Sequence, residues 1–145
     1  MSRIICVGNR FVPGDDLGSR VFDALARLVL PPGVDVVDGG LGGLDLARLA
    51  EGQDRLVFVD AIRGFGSPGE VRILTPEEAG ALEAPPYGHA SGLAYLLSAL
   101  PVLFPGTTRQ AVYVAGAEPP VSDRTFDDLL RSCVAVAAAG RGGMP

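Results

Sequence analysis

Short apolar runs closed by turn residues recur along the chain. They are "RIICVG" (3–8), "VDVVDGG" (34–40), "RLVFVDA" (55–61), "EVRILT" (70–75) and "QAVYVAG" (110–116). Their length and β-branched content predict five strands. Between them the apolar spacing changes to a helical period. Leu17, Val21, Leu25 and Leu28 share one helix face, and Leu93, Leu96, Leu97 and Leu100 share another. Phe126, Leu129, Leu130, Cys133, Val134 and Ala137 make a third, with Ser122 positioned to open that helix and Gly140 to close it. A shorter helix is predicted over 43–51, ending at Gly52.

Strands alternating with helices, with the first and third strands apolar almost throughout, predict a three-layer α/β/α sandwich around a five-stranded, mostly parallel sheet. The "EVRILT" strand follows "GFGSPG" so closely after the third strand that no crossover helix fits, which predicts that it runs antiparallel. Residues 1–140 read as a single domain and 141–145 as a disordered tail.

Composition removes several functions. No run approaches the roughly 18 to 20 apolar residues of a membrane span, and the start "MSRIICVGN" lacks the apolar stretch of a secretory signal, so the expected location is the cytoplasm, with no membrane partner. A net charge of −5 without a basic cluster argues against nucleic acid as a partner. Cys6 and Cys133 are too few and too scattered for a disulfide framework or a zinc site, and are expected to be buried core thiols. All 12 basic residues are arginine, so no Schiff base or Walker lysine is available. His89 is the single histidine, and any imidazole chemistry must use it.

In open parallel sheets the functional crevice lies at the carboxyl ends of the strands. Asp15 and Asp16 follow the first strand, Asp38 ends the second, and Asp60 ends the third. His89, in "PPYGHASGLAYLL", precedes a helical pattern. Carboxylates with an imidazole suit a borderline divalent cation such as nickel or zinc. Each residue also has a plain reading. One of Asp15 and Asp16 can cap a helix, Asp38 before two glycines can form a turn, and Asp60 can tie down a loop. The acids after strands one and three also match a phosphoacceptor receiver domain, but that reading fails for want of a lysine after the last strand.

Taken in series, "VGN" with "GDDLGSRVFDAL", then "VVDGGLGGLDL", "DRLVFVDAI" with "SPGEV", and "GHASGLAYLLSAL" resemble the hydrogenase maturation proteases that process nickel-iron hydrogenase large subunits. The resemblance runs from residue 4 to about residue 100; beyond it only a strand ending in glycine and a following helix match. It implies metal contacts from an acid after strand one, an aspartate ending strand three and a histidine before a later helix. Asp60 and His89 take the last two positions. Ungapped counting from "GN" puts the first on Asp15, while Asp16 stands where the family's glycine is usual and is the alternative.

The function so implied is an endopeptidase that removes a C-terminal extension from a hydrogenase large-subunit precursor after nickel insertion. The nickel arrives with the precursor rather than being held by the free enzyme. Asp15, Asp60 and His89 would complete its coordination, and Gly39 and Gly40, with Gly42 and Gly43 beside them, would let the backbone approach the precursor's tail. Two alternatives belong to other classes. One is a non-catalytic precursor-binding chaperone or metallocentre-checking module of the same fold. The other is a small-molecule hydrolase with a permanent metal site.

Overall fold

The computed structural model describes residues 1–13, 15–40, 45–83 and 111–139. Along them run β1 (Ser2–Val7), α1 (Leu17–Leu25), β2 (Val34–Gly40), α2 (Asp45–Ala50), β3 (Arg55–Ala61), β4 (Val71–Leu74), α3 (Pro76–Glu83), β5 (Ala111–Ala117) and α4 (Asp123–Ala139). The strands form one sheet in the order β2-β1-β3-β5-β4. β1 pairs in parallel with β2 and β3, and β3 with β5, while β4 is antiparallel to β5, as the short "GFGSPG" connection predicts.

The two-residue period of the strands sorts the core into two layers. Ile4, Cys6, Val57, Val59, Ala115 and Ala117 point to one face, where they pack on Leu17, Val21 and Leu25 of α1 and Leu129, Cys133 and Ala137 of α4. Ile5, Val7, Leu56, Phe58 and Val114 point to the other and meet Leu46, Ala47 and Ala50 of α2 and Ala79 of α3. This is the three-layer sandwich. Each fully buried Leu, Ile, Val or Phe in it contributes about 1.5–3 kcal/mol.

Two elements differ from the sequence expectation. Leu28 does not belong to the buried face of α1: the helix ends at Leu25, tight turns follow, and Leu28 is 58% exposed. The prolines at 31 and 32 cannot continue the helix, so the chain is already turning toward β2. The second is α3, which the apolar spacing missed because its segment "PEEAGALE" has no apolar helical period; its Ala79 is buried in the core. Its start is built from a capping box. The Thr75 hydroxyl accepts the Glu78 N–H at 3.1 Å, Glu78 Oε1 accepts the Thr75 N–H at 2.9 Å, and Pro76 takes the first helical position. The helix predicted around Leu93–Leu100, Gly42, Gly43, Gly140 and the 141–145 tail lie outside the described residues.

The chain leaves β1 toward β2 on one side and β3 sits on the other, so the loops after β1 and β3 diverge at the carboxyl edge of the sheet. The boundary between β1 and β3 is thus a topological switch point, the place at which doubly wound sheets accept ligands.

Candidate functional site

The β1–α1 loop carries Asp15 and Asp16 and is tied by backbone hydrogen bonds. The Asn9 N–H donates to the Asp15 carbonyl at 2.8 Å, the Val12 N–H to the Asn9 carbonyl at 3.1 Å, and the Asp15 N–H to the Val12 carbonyl at 3.0 Å. Asn9 Oδ1 also accepts the Phe11 N–H at 3.0 Å. Gly8 (φ +151°) donates to the Gly40 carbonyl at 2.8 Å, which joins the loop to the end of β2; a Cβ here would lie 2.5 Å from the Asp15 carbonyl oxygen. Gly18, in the first turn of α1, is pressed so closely on β1 that a Cβ would lie 2.1 Å from the Val7 carbonyl oxygen.

Among the described residues, no hydrogen bond or ion pair engages the carboxylates of Asp15 and Asp16. Asp16 occupies the N-cap position of α1 but makes no side-chain capping bond. Both half-buried acids therefore present carboxylates at the entrance to α1, where the helix's amide ends favour negative charge.

Asp60 stands one strand away. The register pairs Cys6 of β1 with Val59 of β3, so Asp60 is level with Val7 at the edge where β1 ends, and it lies opposite Gly116 of β5. It is 4% exposed, and its Oδ1 accepts the Ala61 N–H at 2.8 Å. Asp15 and Asp60 thus belong to the same carboxyl edge, on either side of the switch point. His89 lies outside the described residues, and among these no three His, Cys, Asp or Glu side chains come together as a metal-holding group.

Asp38 has turn-forming contacts. Its Oδ1 accepts the Gly40 N–H at 2.9 Å, and its Oδ2 faces Arg10 at 3.5 Å. Arg10 also holds Asp23 of α1 at 2.9 and 3.1 Å, and this hydrogen bonding is the main reason the Asp23 carboxyl lies below its ordinary value. Gly39 is skipped in the β1–β2 register, where Cys6 pairs with Asp38 and Val7 with Gly40, so it is the extra residue of a bulge. A Cβ on it would lie 2.6 Å from Leu46 and 2.9 Å from Ile5, which gives this glycine a packing reason of its own. Gly40, with φ +58°, faces open space.

Glu118, just past β5, is a site-edge residue that the sequence reading did not single out. It is 7% exposed, and its Oε1 accepts the N–H groups of Gly64 (2.8 Å), Phe65 (3.1 Å) and Gly66 (3.2 Å). One carboxylate oxygen therefore gathers the loop that follows Asp60. The available signal was an acid at the end of an inner strand together with a glycine-rich loop full of unpaired amides.

Cys6 and Cys133 are both fully buried and free, as expected of core thiols. Burial pushes both thiols up, Cys133 to about 12, so neither supplies a thiolate nucleophile or a soft ligand. The chemistry this edge offers is that of hard carboxylate oxygens.

Known proteins resemble this chain in sequence and in fold. A model of the hydrogenase maturation protease family matches residues 19–127. The hydrogenase 2 maturation protease of Escherichia coli strain K12 is 37% identical over 100 residues, which cover 67% of this chain and 61% of that protein. The hydrogenase expression/formation protein HupD of Bradyrhizobium diazoefficiens is 30% identical over 76 residues, 52% of this chain and 40% of that protein. The chain thus spans less than two thirds of the length of either relative. The solved structure of the hydrogenase maturating endopeptidase HybD from E. coli superposes with a TM-score of 0.72 at 28% identity, covering 95% of this chain and 90% of that one. Sequence match and fold agree: the chain belongs to the hydrogenase maturation protease family.

Proposed function

We propose that this protein is an endopeptidase that removes the C-terminal extension of a nickel-iron hydrogenase large-subunit precursor once nickel is in place. The observation that carries the reading is the carboxyl edge of the sheet in a chain of this family. Asp15 offers a carboxylate engaged by no described residue on one side of the switch point, and Asp60 stands at the end of the neighbouring strand. His89 is assigned as the third contact on the resemblance of "GHASGLA".

Nickel here is part of the substrate, held by the precursor and presented to the edge. Carboxylates balance the charge of the divalent ion, and a neutral imidazole adds a borderline donor. The protein's own thiols are sealed in the core, so a tight thiolate cage of its own is not expected. Asp15 orients the precursor's metal centre through its anionic oxygen, and the Asn9–Asp15 backbone bonds keep that residue from drifting. Glu118 holds the loop after Asp60, which bounds the crevice on its other side. Gly40, in open space, leaves room for an extended tail to approach. Among the described residues no helix is long and apolar enough to cross a membrane, and we place the reaction in the cytoplasm.

The test is to incubate the purified protein with nickel-loaded and nickel-free precursor and weigh the products. Loss of a short C-terminal peptide from the loaded precursor alone is the expected result. A stable complex with no mass loss would instead establish a precursor-binding module.

A further inference from the structure

We propose that Phe11 and Val12, at the tip of the β1–α1 loop, are the apolar contact by which this protein grips its precursor beside the acidic edge; the inference rests on the processing function proposed above. Phe11 is 88% exposed and Val12 44%, whereas most of the large apolar side chains among the described residues are buried. A lone exposed apolar residue needs no explanation, but this pair is held in place. Asn9 accepts the Phe11 N–H through its side chain and the Val12 N–H through its carbonyl, and the Val12 carbonyl accepts the N–H of Asp15. Arg10, immediately before Phe11, is clamped to Asp23 of α1. The same turn that fixes Asp15 therefore fixes the backbone from which two apolar side chains project into solvent.

Such an arrangement contributes nothing to the core, and an immobilised apolar tip is what a binding surface provides at low entropic cost. The position selects the occupant. Whatever Phe11 and Val12 cover sits within one turn of the backbone of Asp15, so the partner is the polypeptide whose metal centre Asp15 meets, and the contact is an apolar side chain of that precursor. The other exposed apolar pair, Leu28 and Val29, follows the far end of α1 and has no such link to the acids. A net charge of −5 disfavours an anionic membrane as the occupant.

The test compares wild type, the double variant Phe11→Ser/Val12→Ser, and Phe11→Leu. Kinetics use nickel-loaded precursor, and calorimetry measures precursor binding separately. Losing this burial is expected to raise KM and Kd roughly ten- to hundred-fold in the double variant. The turnover of saturated enzyme and the melting temperature should be retained, and Phe11→Leu should recover most of the affinity. KM and Kd within twofold of wild type would overturn the proposal, as would a fall in turnover at unchanged KM. If wild type fails to cleave, the processing function fails, while the calorimetric comparison still decides the surface: weaker binding by the double variant supports it and equal binding overturns it. Sedimentation completes the set, because a change of self-association at unchanged precursor affinity would assign the tip to a second copy and overturn the proposal.

Discussion

Asp15 and Asp16 are adjacent in sequence, and the structure separates what each can do. Asp15 lies within the hydrogen-bonded loop, whereas Asp16 is the N-cap residue of α1 without a capping bond. With Asp15 as the precursor-facing acid, Asp15→Asn should abolish most cleavage at unchanged stability, since the amide keeps the shape and loses the anionic charge. Asp16→Asn should cleave normally. Asp16→Ala should cost less than the about 0.5–2 kcal/mol of a bonded cap, because no such bond is present to lose. Precursor cleavage and thermal melts of the three variants check this; inactivity confined to Asp16→Asn would move the metal contact to Asp16. The buried thiols make a second residue-scale prediction. Their folded values are raised by burial, while an unfolded cysteine titrates near 8.5. Above that pH the unfolded chain binds fewer protons than the folded one, so stability is full below about pH 8.5 and declines as pH rises toward the folded values. Melting temperature measured from pH 7 to 10.5 should fall at the alkaline end, and Cys6→Ala/Cys133→Ala should flatten that fall.

At the scale of elements, two contacts decide whether the carboxyl edge keeps its shape. Gly18 brings the start of α1 against β1, and a methyl group there would meet backbone, which cannot step aside. Gly18→Ala is therefore expected to cost about 1–3 kcal/mol or more, read as a lower midpoint in urea at unchanged slope. The loop after Asp60 depends on Glu118 instead. Glu118→Ala leaves three amides without their acceptor and should loosen residues 64–66, seen as faster amide exchange there. Glu118→Gln keeps an acceptor oxygen and should restore much of the protection. Equal exchange in the alanine variant would show that the loop holds itself.

For the molecule as a whole, the sheet order makes the site. The β2-β1-β3-β5-β4 arrangement makes the boundary between β1 and β3 a topological switch point, which is where a doubly wound sheet accepts ligands. An edge offering carboxylate oxygens, with both thiols buried, should hold metal weakly in the free protein. Elemental analysis of the purified chain is expected to find no stoichiometric metal after a chelator wash. One zinc per chain surviving that wash would point to a resident metal site. His89→Ala should abolish cleavage with the thermal transition intact, and cleavage at the wild-type rate would remove the imidazole from the site.

The five strands, the antiparallel placement of β4, the buried thiols and the opening of α4 by Ser122 were all legible in the sequence, because period, turn residues and capping chemistry are local. The capping box of α3 was equally local, and it was missed because helices were read from apolar spacing, which "PEEAGALE" lacks. The acids Asp15 and Asp60 could be named from sequence as strand-end residues. That both lie at the carboxyl edge was expected of a parallel sheet, whereas the adjacency of β1 and β3 followed only from the sheet order, which long-range pairing decides. The unbonded N-cap of Asp16, the bulge at Gly39, the reach of Glu118 to residues 64–66 and the exposed pair Phe11 and Val12 were tertiary outcomes too. Each depends on which backbone amides and side chains meet across strands distant in the chain, and no spacing rule along one segment contains that information.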